Sequence, residues 1–198
     1  MADVRSATLD DADRIAQIAA AGFYDDPVMS WLFPVAAVRL DRLRLLFGGL
    51  ARDMLPDRGI VHLTGDACVA LWRDPTFEHG RSAAERVQEA ADEGPSPFAP
   101  DEMERLGVLG ATMTANHPHE PHWYLNVVST VPANQGQGLG TAVLQPVLAR
   151  CDADGSRAYL ESTNPRNHTL YHRHGFVDAG EIRVEGGPSL TPMWRDPR

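Results

Sequence analysis

The chain has 198 residues, 43% apolar and 23% charged, with 27 acidic against 18 basic side chains and a formal charge of −9. That size and balance fit one globular domain over residues 1–198, able to bury a core without disulfide or metal staples. The acidity and the lack of any basic stripe argue against a nucleic-acid partner, and all 18 basic residues are Arg, which excludes the lysine of a Walker phosphate loop and of a Schiff base.

In chain order, the pattern predicts a short strand over residues 4–8. A helix follows, capped by Asp10 or Asp11 and ending near Gly22, with Ile15, Ile18 and Ala19 at helical spacing. Phe23, Tyr24, Asp25 and Asp26 form an aromatic, acidic loop, because Pro27 disfavours helix at the residue before it. A helix over residues 35–54 sets Leu43, Leu46, Phe47 and Leu50 on one face. Residues 60–64 and 67–73 then read as a hairpin turning at Gly65 and Asp66.

Two polar helices are expected over residues 82–93 and 100–115, then the longest extended run, 122–131, which Pro132 ends. A helix over 139–154, interrupted by Pro146, a strand over 157–163 and a helical segment over 164–174 come next. Gly175 breaks that segment, and strands over 176–184 and 190–195 close the chain. Strand and helix blocks in this order predict an α/β (α+β) architecture, a mixed sheet with helices on its faces.

Cys68 and Cys151 stand far apart in helix-like or apolar surroundings, so no disulfide framework is expected and a reducing, cytoplasmic compartment is. Residues 1–13 lack the charged and apolar regions of a signal peptide, and no apolar run approaches the roughly 20 residues of a membrane span.

The chemistry concentrates in Gln135-Gly136-Gln137-Gly138-Leu139-Gly140, set between an extended run and a helix. Glycines let the backbone approach a ligand closely, and the first-turn amides of a helix have no internal partner. With the helix dipole they form an anion site suited to a pyrophosphate; a plain tight turn is the structural alternative. A dinucleotide fold would want glycine where Thr141 stands, and a loop near the chain start.

Gln135-x-x-Gly138-x-Gly140 resembles the coenzyme A pyrophosphate loop of the GNAT acetyltransferase superfamily, and Asn167-x-x-Leu170-Tyr171-x-x-x-Gly175-Phe176 is similar to its second motif. Segments 121–125, 159–162 and 193–195 resemble the puromycin N-acetyltransferase group of actinobacterial enzymes within it. The resemblance implies a GNAT-like, mostly antiparallel sheet and acetyl-CoA as acyl donor, with no metal. It implies cofactor contacts from Val128, Ser129, Thr130, Gln135, Gly136, Gln137, Gly138, Leu139, Gly140, Thr141, Asn167 and Tyr171, with a backbone amide of the 128–130 stretch as oxyanion donor. Thr130-Val131 stands where the family has a Val followed by a polar residue, a swap that backbone contacts survive.

Tyr171 is the candidate acid for the departing thiolate, with packing against Phe176 as its structural alternative. Glu161 is a candidate base, and Phe23, Tyr24, Asp26 and His122 are candidates for the acceptor side. The acceptor implied is a small-molecule amine, antibiotic-like amines among them; a protein or peptide amine, or a non-catalytic acyl-CoA sensor, are the alternatives, and a homodimer stays open. His117, His119 and His122 read as a polar loop, and His168 with His172 as a helix surface. The pattern of zinc-binding helices needs Glu where Thr169 stands.

Overall fold

The computed structural model describes residues 3–55, 59–76 and 96–198; the helix expected over 82–93 lies outside them. Strands β1 (Arg5–Ser6), β2 (Ile60–Thr64), β3 (Cys68–Arg73), β4 (Trp123–Thr130), β5 (Ala158–Ser162), β6 (Val177–Asp178) and β7 (Thr191–Arg195) form one sheet in the order β1-β2-β3-β4-β5-β7-β6. Every pairing is antiparallel except β4 with β5. Helices α1 (Ala12–Gly22), α2 (Pro27–Leu32), α3 (Ala36–Met54) and α4 (Pro100–Asn116) contribute to the core on one face; α5 (Leu139–Asp154) and α6 (His168–Arg173) to that on the other.

Strand periodicity explains the two cores. Along β3, Val69 and Leu71 join Ile15, Ile18, Leu43 and Phe47 on the α1–α3 side, while Cys68, Ala70 and Trp72 join Val143, Val147 and Leu148 of α5. β3 is buried throughout, as a central strand covered on both faces must be.

β4 breaks that rule in an informative way. Leu125 pairs with Trp72 and Val127 with Leu71, so Asn126 is an extra residue with no partner in the register. Leu125 and Val127 are two apart yet lie in opposite cores, which a β-bulge at Asn126 accounts for. On its other edge β4 pairs with β5 only at Trp123–Ala158 and Tyr124–Tyr159. Beyond that pair the two parallel strands part.

Sequence and structure differ at three places. Asp26 does not end in a loop: its Oδ1 accepts hydrogen bonds from the amides of Val28 (2.9 Å) and Met29 (3.2 Å) and caps α2, whose first residue is Pro27. The proline that forbids helix at Asp26 is at ease in a helix's first turn. The strand expected over 176–184 is cut to Val177–Asp178, with Gly180 at φ +120° and only an isolated bridge from Ile182 to Leu190. The segment over 164–174 divides into a 3₁₀ turn, Pro165–Asn167, and α6.

Candidate active site

The glycine loop leaves β4 through a 3₁₀ turn at Pro132–Asn134 and enters α5 through Gly138. Gly136 and Gly138 have φ of +74° and +79°, the left-handed region where a side chain is strained, although a Cβ at either would meet nothing within 4 Å. Conformation, not crowding, requires glycine there, and the space beside the loop is open to a ligand. At Gly140 the reason is different: a Cβ would sit 3.3 Å from Leu170 Cδ2, so glycine lets α6 close against the first turn of α5. Gln135 Nε2 donates to the Thr130 carbonyl (3.2 Å), and His174 Nε2 lies 3.1 Å from Thr141 Oγ1, bracing both ends of the loop.

A cleft of about 540 Å³ opens over this loop. Of the residues expected from sequence it is lined by Phe23, Asp26, Val128, Ser129, Thr130, Gln135, Gly136, Gly138, Leu139, Gly140, Thr141 and Asn167. It thus joins the start of α5 to the stretch of β4 that has parted from β5. There β3 satisfies one edge of β4 and the other edge faces the opening. Ser129 is held from behind, its hydroxyl donating to the Ile18 carbonyl at 3.1 Å.

Arg166 and Arg173 also line the cleft and were not singled out from sequence. They bring positive charge to the walls of a site suited to phosphates, on a chain whose net charge is −9. Their flanking of Asn167 and Tyr171 is a sequence signal that points to them.

Gln137, Tyr24, Tyr171, Glu161 and His122 lie outside the cleft lining. Gln137 is exposed, with its amide 3.4 Å from the Ala133 carbonyl. Tyr24 donates to the Ala36 carbonyl (3.2 Å) under the guanidinium of Arg39, which ties the α1–α2 turn to α3. Tyr171 is 6% exposed and packs edge-on to Phe176, ring centroids 6.1 Å apart. Burial, then the charge of Asp26, push its phenol well above the ordinary range, so it stays protonated at neutral pH. Asp26, 4% exposed, also accepts from Thr163 Oγ1 at 2.6 Å, linking α2 to the end of β5; burial raises its carboxyl, against the opposing effect of its hydrogen bonds.

Glu161 faces the vertex where β4 and β5 part, on the side of Tyr124 and Tyr159. Its side chain is 1% exposed and 3.3 Å from His117 Nδ1, and His117 Nε2 is 3.1 Å from His122 Nε2. The segment read as a polar loop therefore sends two histidine rings inward. Burial raises both tyrosine phenols, and the nearby Glu161 charge raises them further. His172 Nε2 lies 2.7 Å from Asp178 Oδ1 and His168 Nδ1 4.0 Å from Asp178 Oδ2, a polar group at the surface of α6.

The class of the protein follows from the sequence comparisons. Residues 65–176 match the model of the Acetyltransferase (GNAT) family, more than half of the 198, and the chain belongs to that family. It is 28% identical over 144 residues, 69% of its length, to an uncharacterized N-acetyltransferase of Schizosaccharomyces pombe, of which the match spans 58%. Among solved structures it is similar to the histone acetyltransferase HPA2 and related acetyltransferase of Corynebacterium glutamicum (27% identity, 100% of this chain and 98% of that one, TM-score 0.72). It shares its fold with a mosquito arylalkylamine N-acetyltransferase like 5b (15% identity, 99% and 100% covered, TM-score 0.67). No helix among the described residues is long and apolar enough to cross a membrane.

Proposed function

We propose that the chain, acting as one domain, moves the acetyl group of acetyl-CoA to the amine of a small molecule by direct attack in a ternary complex. The observation that carries this reading is the continuous cleft from the positive-φ glycine loop to the parted edge of β4. The loop amides and the first turn of α5 hold the pyrophosphate, with Arg166 and Arg173 at the walls. The free edge of β4 at Val128, Ser129 and Thr130 takes the pantetheine as an added strand and offers a backbone amide to the thioester oxygen as charge develops there.

Glu161, at the strand vertex beside the Tyr124 and Tyr159 hydroxyls and His117, takes the proton of the incoming ammonium. Tyr171, which burial keeps protonated at neutral pH, donates its proton to the departing thiolate. Attack forms the C–N bond, breaks the C–S bond and leaves the amide and the free thiol. A small acceptor is supported by the name of the mosquito structure, which shares this fold.

The test is thiol release from acetyl-CoA by the purified chain, offered arylalkylamines, aliphatic polyamines, amine-bearing antibiotics and lysine peptides. Turnover on small amines well above that on peptides is expected. Peptide turnover alone would move the assignment to a protein acceptor, and tight acetyl-CoA binding with no turnover on any of them would make the chain a sensor.

A further inference from the structure

His168, His172 and Asp178 have no part in the reaction proposed above. None of them lines the cleft, although Asn167, Thr169, Leu170 and Arg173 from the same stretch of chain do. Among the described residues they are the one group of three histidine, cysteine or carboxylate side chains whose ligand atoms all lie within 4.8 Å of one another.

The local fold brings them together. His168 and His172 are four apart on α6, so their rings share one face of it, centroids 5.9 Å apart. The chain then turns at Gly175, φ +90°, where the amides of Gly175 and Phe176 donate to the His172 and Tyr171 carbonyls at 2.9 and 3.1 Å. Phe176 is buried in the core with Tyr171, and β6 is held by its pairing with β7. Helix and strand are therefore fixed to each other. Asp178, on β6, meets both rings, Oδ1 2.7 Å from His172 Nε2 and Oδ2 4.0 Å from His168 Nδ1.

That spacing suits a small divalent ion. Ligands about 2.0–2.1 Å from a tetrahedral zinc ion stand about 3.3 Å from one another. The two observed separations bracket this value, and the side chains of His172 and Asp178, 50% and 47% exposed, have room to adjust. Two imidazoles and a carboxylate favour zinc and its first-row neighbours over magnesium and calcium, which prefer an all-oxygen set. Water completes the coordination on the exposed side. The third ligand comes from the strand, so the helix needs no Glu where Thr169 stands. One ligand lacks support: His168 Nε2 is buried, and no described residue hydrogen-bonds it. An imidazole without an outer partner costs about 10–100-fold in affinity, which puts the site in the micromolar range.

We propose that His168 Nδ1, His172 Nε2 and the Asp178 carboxylate bind a zinc-class divalent ion that staples α6 to the edge strand β6. Each neutral ring presents a bare nitrogen to the ion and keeps its hydrogen on the other nitrogen, so the ion replaces the hydrogen bond between His172 and Asp178. The ion takes no part in acetyl transfer. It steadies the helix that carries Thr169, Leu170 and Arg173 to the cleft wall.

The test is a calorimetric titration of zinc sulfate into the purified chain, free of any histidine tag and stripped with a chelator. Cys68 and Cys151 are buried and offer zinc no competing thiol. One equivalent should bind with a Kd of about 1–10 µM, and about 100 µM zinc should raise Tm by about 3–10 °C. Magnesium at the same concentration should do neither. His172→Gln and Asp178→Asn should each weaken zinc binding at least about tenfold and remove the rise in Tm, while melting like the wild type without zinc. If either variant does not fold, the other and His168→Gln carry the test. A wild-type Kd weaker than about 100 µM would overturn the proposal, as would wild-type zinc affinity in the folded variants, which would put the ion elsewhere. None of these readings depends on turnover, so they stand whatever the acceptor is.

Discussion

Gly22 ends α1 with no room for a side chain. A Cβ there would lie 2.2 Å from Ser129 Oγ, 2.9 Å from the Thr130 carbonyl oxygen and 3.3 Å from the Thr130 amide nitrogen. In Gly22→Ala the serine hydroxyl can rotate away, giving up its bond to the Ile18 carbonyl at a cost of about 1 kcal/mol. The Thr130 backbone cannot rotate, so β4 must shift by some tenths of an ångström, an overpacking strain of about 1–3 kcal/mol. Alanine's better helix propensity returns about 1 kcal/mol. The net loss of about 1–3 kcal/mol corresponds to a Tm lower by about 3–10 °C.

The shifted residues line the cleft where the thioester is proposed to lie, and misplacement on the ångström scale costs about a hundredfold. A smaller shift should cost kcat about tenfold, with acetyl-CoA affinity less affected because the glycine loop is untouched. Thermal melts, thiol release and acetyl-CoA titration on Gly22→Ala, Ser129→Ala and the double variant make a cycle. The double variant should recover stability only in part, since the carbonyl contact remains. Unchanged Tm and kcat in Gly22→Ala, or full recovery in the double variant, would refute the tight α1–β4 contact.

Tyr171→Phe should lower kcat by about 10²–10⁴ with little change in acetyl-CoA affinity, read by thiol release and titration calorimetry; unchanged turnover would remove it as the acid. Gly138→Ala should weaken acetyl-CoA binding and cost about 1–2 kcal/mol of stability, because φ of +79° strains alanine although open space surrounds it. Asp11 accepts from Arg5 at 2.6 and 2.7 Å and from the Thr8 amide at 3.0 Å, and the Arg5 guanidinium holds its carboxyl well below the ordinary range. Because the folded pKa is depressed, this stability is present above about pH 4 and is lost as pH falls through the folded value. Asp11→Asn should therefore lower Tm at pH 7 by about 2–4 °C, for about 1 kcal/mol given the exposure of Arg5, and the gap should narrow in melts at falling pH.

The local elements were legible because their causes are local. The helix over 139–154 matches the expected span, bracketed by Gly138 and Gly155, both in the left-handed region. The hairpin turns at Gly65, φ +52°, between strands whose apolar residues serve both faces of the sheet. The glycine loop was legible for the same reason: a helix start, glycines and an adjacent strand lie within one stretch of chain.

The tertiary structure alone decided the vertex. The parting of β4 from β5 follows from a bulge at Asn126 and from pairing limited to two residues, neither of which leaves a periodic trace. His117 looked like part of a polar loop because its partners, Glu161 and His122, are brought to it by the sheet and by the end of α4. Meetings of side chains that are distant in sequence depend on register and burial, and those come only when the whole sheet has formed. The sequence by itself determined a glycine loop at a helix start, a place suited to an anion; packing determined which groups meet at the vertex.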